Sequence, residues 1–215
     1  MKIINDVAII LNKKEISGSS ILVTLFTKKH GKVSAIIFNA RNSKKKHLAS
    51  LMPLSISDVE IEIKNSSKII TNSILQHSFQ NSMNKIEKLQ LLFYIAHSLN
   101  QVLEFDNPDE ELYNKSIEII QYIDALDNEL IENIDFERYI LITFLRRLMV
   151  VLGIFDLNQL VNQYDLLNQY NDYVEYSKTS VLNNPNSLIT LLNCFEGYIN
   201  NYFEIKLNYK KILIL

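Results

Sequence analysis

Apolar and polar residues change rhythm once along this chain. Up to about residue 80 they alternate or fall into short apolar runs; from about residue 84 they recur every three or four positions. Segment 56–64 alternates most cleanly, with Val59, Ile61 and Ile63 on one side and Asp58, Glu60, Glu62 and Lys64 on the other. A period of two with one wet face is an antiparallel strand half buried against a core. Segments 3–11, 20–27, 32–39 and 68–76, rich in Ile, Val and Leu, supply four more strands. Residues 28–31 form a tight connection in which Gly31 is free to take a positive φ, and Asn65-Ser66-Ser67 is a turn. The 40–55 connection is long and basic at its start, then becomes a short apolar piece ending at Pro53. Five short strands with the longest insertion after the third outline a Greek-key barrel of the OB type.

The second rhythm is helical. Ile86, Leu89, Leu92, Phe93, Ala96, Leu99 and Leu103 follow a 3.6-residue period. Asn107-Pro108-Asp109-Glu110-Glu111 reads as a helix start, with Asn107 as the cap, Pro108 at the first helical position and acids where the dipole favours them. A longer helix over 134–152 ends at Gly153. Two more, near 157–169 and 187–204, flank Tyr173 to Leu182, which reads as a small hairpin. The fold class is therefore α+β: an OB-type five-stranded barrel over residues 1–80, then an all-α helical domain over 81–215.

Composition sharpens this outline. Apolar residues make up 47% of the 215, and there are only 4 Gly and 3 Pro, so the chain has material for real cores and little for structureless linkers. The single cysteine, Cys194, excludes an internal disulfide and any zinc site built on Cys pairs. Its apolar helical setting makes it a small hydrophobe. No uncharged apolar run approaches a membrane span, and Met1 to Asp6 does not open a signal peptide, which predicts a cytoplasmic protein.

Charge divides the chain more sharply than hydrophobicity does. The net charge of −2 hides 12 Lys and Arg against 5 Asp and Glu in residues 1–80, a balance of +7, and 10 against 19 in the remainder, a balance of −9. Lys28, Lys29 and Lys32 crowd a hairpin tip, and Arg41, Lys44, Lys45 and Lys46 crowd the loop after the next strand; the two clusters are expected to converge into one patch. A polyphosphate backbone is the partner such a surface fits. The barrel segment has no Tyr or Trp and only Phe26, Phe38 and Phe79, so stacking on bases is expected to be slight and binding indifferent to sequence. Enzyme signatures are missing: there is no Gly-rich phosphate loop, no G-x-S-x-G and no H-E-x-x-H. The row Asp58, Glu60, Glu62 offers carboxylates for a metal but reads first as a solvated strand face. The expectation is a non-enzymatic protein without metal or cofactor. An adaptor whose basic barrel binds an acidic protein is the alternative.

Against this background, I-L-V-T-L-F-T-K-K-H-G-K-V-S-A (21–35), N-A-R-N-S-K-K-K (39–46) and Leu51-x-Pro53 resemble the N-terminal module of the RecO family of DNA repair proteins. F-L-R-R-L-M-V-V-L-G-I-F (144–155) and the closing stretch 197–213 are similar to that family's later helices. The four-Cys zinc motif that many members carry has no counterpart in 156–172, and Ser17-Gly18-Ser19-Ser20 stands where an acidic residue is common. The resemblance implies a recombination mediator, associated with the nucleoid, that binds single- and double-stranded DNA, anneals complementary strands and helps load RecA with RecR. It also implies docking on the acidic C-terminal tail of single-stranded-DNA-binding protein. Such a tail would need an apolar pocket rimmed by cations, for which Arg138, Arg146, Arg147, Lys206, Lys210 and Lys211 are the candidates.

Overall fold

A computed structural model of the chain describes every residue except 1, 17–18, 39–46, 159–163, 181–183, 185 and 210–215. The alternating segments form five strands: β1 (Lys2–Glu15), β2 (Ile21–Thr27), β3 (Gly31–Ile37), β4 (Ile56–Lys64) and β5 (Ser67–His77). Their order is β1-β2-β3-β5-β4, closed by β4 pairing back on β1. All pairings are antiparallel except β3 with β5, which meet in parallel where Ile36 faces Ile69. This is the OB-type arrangement that the strand count and the long third connection predict.

Alternation fills the barrel. Ile4, Ala8 and Ile10 of β1, Val23 and Leu25 of β2, Val33 and Ala35 of β3, Val59 and Ile61 of β4 and Ile70 of β5 form one buried cluster. Each fully buried Val, Leu or Ile contributes about 1.5–3 kcal/mol. Leu51, which follows the helical turn α1 (His47–Ser50), joins that cluster. Buried serines tie the turn to the sheet: Ser50 Oγ and Ser73 Oγ are 2.6 Å apart, and Ser57 Oγ donates to the Ser50 carbonyl at 2.5 Å. The β4–β5 turn places Asn65 and Ser66 both at positive φ (46° and 66°), the geometry of the tight hairpin turns whose twist matches the strands.

The remaining elements are helical: α2 (Gln80–Met83), α3 (Ile86–Val102), α4 (Glu110–Ala125), α5 (Asn128–Ile131), α6 (Ile134–Val151), α7 (Tyr164–Thr179) and α8 (Ser187–Phe203). Gly153, at φ +70°, follows α6 as its sequence position predicts. Asn133 caps the start of α6 by accepting from the backbone N–H of Asp135 and Phe136. Two local expectations are corrected. The residue that caps α4 is Asp109, whose Oδ1 accepts from Leu112 N at 2.8 Å, and not Asn107. The stretch from Tyr173 is no hairpin: α7 runs through it to Thr179. Tyr173 and Tyr176, three residues apart, are both buried with their rings 5.3 and 5.5 Å from Tyr139 of α6, and the Tyr173 hydroxyl meets Thr143 Oγ1 at 3.1 Å. Helical spacing of the tyrosines outweighs the strand propensity of the individual residues.

The chain divides into two compact units, and the division does not fall at the change of rhythm near residue 80. One unit comprises Met1–Asn84 with Leu92–Asp124, the other Lys85–Leu91 with Ala125–Leu215. In the first, α4 and the later part of α3 cover one stretch of the barrel wall: the ring of Tyr113 meets Phe26 edge-on at 5.3 Å, and Ser82 donates its N–H and hydroxyl to the buried Asp124 carboxylate at 2.9 and 2.7 Å. In the second, α6, α7 and α8 pack together, and the buried Lys88 ammonium donates to the Leu126 carbonyl at 2.5 Å.

Candidate nucleic-acid interface

The β2–β3 hairpin tip is held by one buried carboxylate. Asp6 of β1 accepts from its neighbour Val7 N at 2.9 Å, from Lys29 N at 2.8 Å and lies 2.9 Å from His30 Nδ1. Thr27 Oγ1 donates to the Gly31 carbonyl at 2.9 Å and accepts from His30 N at 3.2 Å. Gly31 takes φ +69°, and a Cβ there would lie 2.1 Å from the Asn107 carbonyl oxygen. Glycine is required at this position on both counts.

This tip holds only part of the cation cluster that the sequence predicts. Lys32 is removed from it: only 7% exposed, its ammonium donates to the carbonyls of Asn100 (2.5 Å) and Leu103 (3.2 Å) and sits 4.5 Å from the centre of the Phe105 ring. It satisfies carbonyls left open at the end of α3, and burial lowers its pKa. Lys28 pairs with Glu110 at 3.1 Å. Lys29 is exposed. A groove of about 510 Å³ beside the two lysines is also lined by Asp6, Asp58 and Glu60, so its charge is mixed.

Arg41, Lys44, Lys45 and Lys46 lie outside the described residues. The expectation of one merged patch rests on these residues and lies outside the described ones with them. The seven residues of β3 set the tip and Phe38 roughly 20 Å apart.

At the loop end, the outer face of β1–β2–β3 carries residues that charge counting and motif search do not single out. Strand register sets Lys14, Leu22 and Ile36 in one row, and Asn12, Thr24 and Ser34 in the next. Lys14 is exposed, Leu22 and Ile36 are half-buried, and Thr24 Oγ1 lies 3.4 Å from Ser34 Oγ. Phe38 continues the outward sequence 34, 36, 38 and is 55% exposed, whereas Phe26 (0%) and Phe79 (3%) are core. The period of two in 31–38 was the signal available for Phe38; Lys14, at the end of β1, gave none beyond its charge.

The carboxylate row of β4 is engaged by its neighbour strand: Asp58 accepts from Gln76 Nε2 and Glu60 from Thr71 Oγ1. Among the described residues no group of three His, Cys, Asp or Glu is placed to hold a metal ion. No described helix is long and apolar enough to cross a membrane.

In the helical unit four of the six candidate cations fall among the described residues, and they differ in their surroundings. Arg138 pairs with Asp135 at 3.1 Å; Arg147 and Lys206 are exposed; Lys210 and Lys211 lie outside the described residues. Arg146 is held, its Nε donating to the Tyr170 hydroxyl at 2.9 Å and its guanidinium 5.4 Å from the centre of the Phe155 ring. Phe155 lines a pocket of about 310 Å³ with Met149, Ile154, Leu166, Cys194 and Phe195. Burial pushes the Cys194 thiol pKa up, which suits a lining residue and not a nucleophile.

An OB-type five-stranded barrel with an exposed outer sheet face is the class of module that the described residues define. Residues 1–79 match the family model for the recombination protein O N-terminal domain. The chain is 31% identical over 120 residues to DNA repair protein RecO of Rhodopirellula baltica, covering 55% of this chain and 44% of that one. It is 28% identical over 113 residues to DNA repair protein RecO of Thermoanaerobacter sp. (53% and 46%), and 26% over 129 to that of Caldanaerobacter subterraneus (60% and 52%). The chain thus spans about half the length of the curated relatives it matches.

Proposed function

We propose that this chain acts in recombinational DNA repair as a non-enzymatic mediator that binds single- and double-stranded DNA through the phosphate backbone. The observation that carries this reading is the basic sequence Arg41–Lys46 following β3 of an OB-type barrel whose sequence matches the RecO N-terminal family model. Phosphate contact centres on the loop end of the barrel. Lys28 and Lys29, at the other end and beside Asp6, Asp58 and Glu60, contribute less.

Strand annealing asks for little else. A cationic surface lowers the repulsion between two phosphate backbones, and base pairing supplies the selectivity. No acid, base or nucleophile need be positioned. Loading of RecA with RecR, in association with the nucleoid, completes the proposed role. The helical unit then serves partners: the pocket lined by Phe155, with Arg146 across its ring, fits a short acidic tail with an aromatic end, the chemistry proposed for the tail of single-stranded-DNA-binding protein.

A salt-dependent titration of a labelled oligonucleotide, with an annealing assay alongside, tests this. With about five phosphates neutralised, log K for a single strand falls against log salt with a slope of roughly −3 to −4. Absence of binding at about 50 mM salt overturns the reading and favours an adaptor that takes an acidic protein.

A further inference from the structure

We propose that the outer face of β1, β4 and β5 docks a basic helix of a partner protein, one with Lys or Arg at every fourth position and aliphatic residues beside them. Such a contact stands independently of the nucleic-acid reading above and lies on a different face of the barrel.

Strand register lays this face out in three rows: Val7, Asp58 and Ile74; Asn5, Glu60 and Asn72; Ile3, Glu62 and Ile69. Carboxylates form the central column and aliphatic side chains stand at all four corners, Ile3 and Ile74 being 49% and 56% exposed. A groove of about 510 Å³ runs over the first two rows. Residues 1–80 hold only five acids, and four of them, Asp6, Asp58, Glu60 and Glu62, lie on this face or line its groove. Asp6 is taken up by the hairpin tip and Lys28 by Glu110. Asp58 and Glu60 accept from the uncharged Gln76 and Thr71. Among the described residues no cation pairs with Asp58, Glu60 or Glu62, although Lys29 and Lys64 bound the column at its two ends.

A second observation points to a cation. Tyr113, one turn of α4 after the Glu110 that holds Lys28, is only 4% exposed, and its hydroxyl has no hydrogen-bond partner among the described residues. Burial, then the charges of Asp6 and Asp58, push its pKa up, which places the open hydroxyl at the Asp58 end of the groove. An ammonium or guanidinium entering there pairs with Asp58 and donates to the Tyr113 oxygen, which satisfies both.

Spacing selects the form of the occupant. Carboxylates two apart on β4 repeat about every 6.7 Å, and side chains four apart on a helix repeat about every 6 Å. Corner residues two strands apart stand roughly 9.5 Å from each other, close to the width of a helix. A helix with a cationic stripe thus sets its charges on the column and its aliphatic flanks on the corners. A phosphate backbone is repelled by the column, and a bare metal ion would leave the corners in water.

The probes are a labelled helical peptide with three Lys spaced four apart and Leu on both flanks, a scrambled peptide of the same composition, and an oligo(dT) strand, each titrated into the full chain. The striped peptide is expected to bind more tightly than the scrambled one. Asp58→Asn, Glu60→Gln and Glu62→Gln together should weaken it at least about 10-fold, and Ile3→Ser with Ile74→Ser about 5-fold. Tyr113→Phe removes the hydroxyl alone and should weaken it about 3-fold without lowering thermal stability. None of these variants should weaken oligo(dT) binding. Equal binding of the two peptides overturns the proposal, and so does a triple amide variant that binds the striped peptide as the wild type does. A triple variant that loses oligo(dT) affinity instead assigns the face to nucleic acid and overturns it too. The amide substitutions keep side-chain shape, so they decide the matter even if the serine variant fails to fold. A wild type that binds the striped peptide and no oligo(dT) removes the nucleic-acid reading and leaves this one standing.

Discussion

The two ends of β3 are both basic in sequence and differ in what their cations do. At the tip end Lys32 is engaged by backbone carbonyls and Lys28 by Glu110, and the adjoining groove sets Asp6, Asp58 and Glu60 beside Lys28 and Lys29. At the loop end Lys14 faces outward next to Leu22 and Ile36, and Phe38 is open. A count of charges along the chain is therefore an upper bound on the charge a surface presents. Which cations remain available is decided by elements far away in sequence, here the end of α3 and the start of α4.

The largest expected effect separates the two ends directly. Lys44→Glu, Lys45→Glu and Lys46→Glu together are expected to weaken single-strand binding at least about 100-fold at low salt, with thermal unfolding unchanged; unchanged affinity in an anisotropy titration would break the assignment of the loop. Gly31→Ala should do the opposite. With φ +69° and the Asn107 carbonyl 2.1 Å from the new Cβ, it is expected to cost roughly 2–4 kcal/mol of stability by denaturant unfolding. Lys32→Ala leaves the Asn100 and Leu103 carbonyls without their buried donor and should cost about 1–3 kcal/mol. A Lys32→Ala variant of native stability that loses DNA affinity would return this lysine to the binding surface.

How far these residues are legible in sequence depends on the range of the forces that place them. Strands, turn and barrel follow from alternation and turn chemistry, which are local, and Gly31 and Gly153 follow from backbone sterics. The role of Lys32 is not legible, because its partners stand 68 and 71 positions away. The Tyr173 stretch misleads for the same reason: its residues favour strand one by one, and only the partner ring of Tyr139 shows that the helical spacing prevails. Asn107 and Asp109 both suit a helix cap, and the backbone of Asn107 is instead drawn against Gly31. The basic loop is legible as charge and as a family pattern.

A smaller effect belongs to the helical unit. Burial, then the charge of Glu87, pushes the Glu137 carboxyl pKa up to about 7, with Arg138 opposing. Between the ordinary carboxylate range and that value the folded chain keeps a proton that the unfolded chain has released, so this group's contribution to stability falls as pH rises through the window. Glu137→Gln should therefore gain about 1 kcal/mol at about pH 8, discounted for partial solvent screening, and little at about pH 4. Denaturant melts at both values check the sign. Lys28→Ala comes last: its pair with Glu110 is solvent-exposed, and removing it is expected to change stability by less than about 0.5 kcal/mol.

The central claim is that phosphate contact is made at the loop end of β3 and not at the tip, and salt slopes test it most directly. The slope of log K against log salt for an oligo(dT) strand is compared among the wild type, a variant with Lys14, Lys44, Lys45 and Lys46 changed to Gln, and one with Lys28 and Lys29 changed to Gln. The account predicts a slope shallower by about 3 in the first variant and changed by less than about 0.5 in the second. A shallower slope in the second variant with the first left at the wild-type value would contradict it.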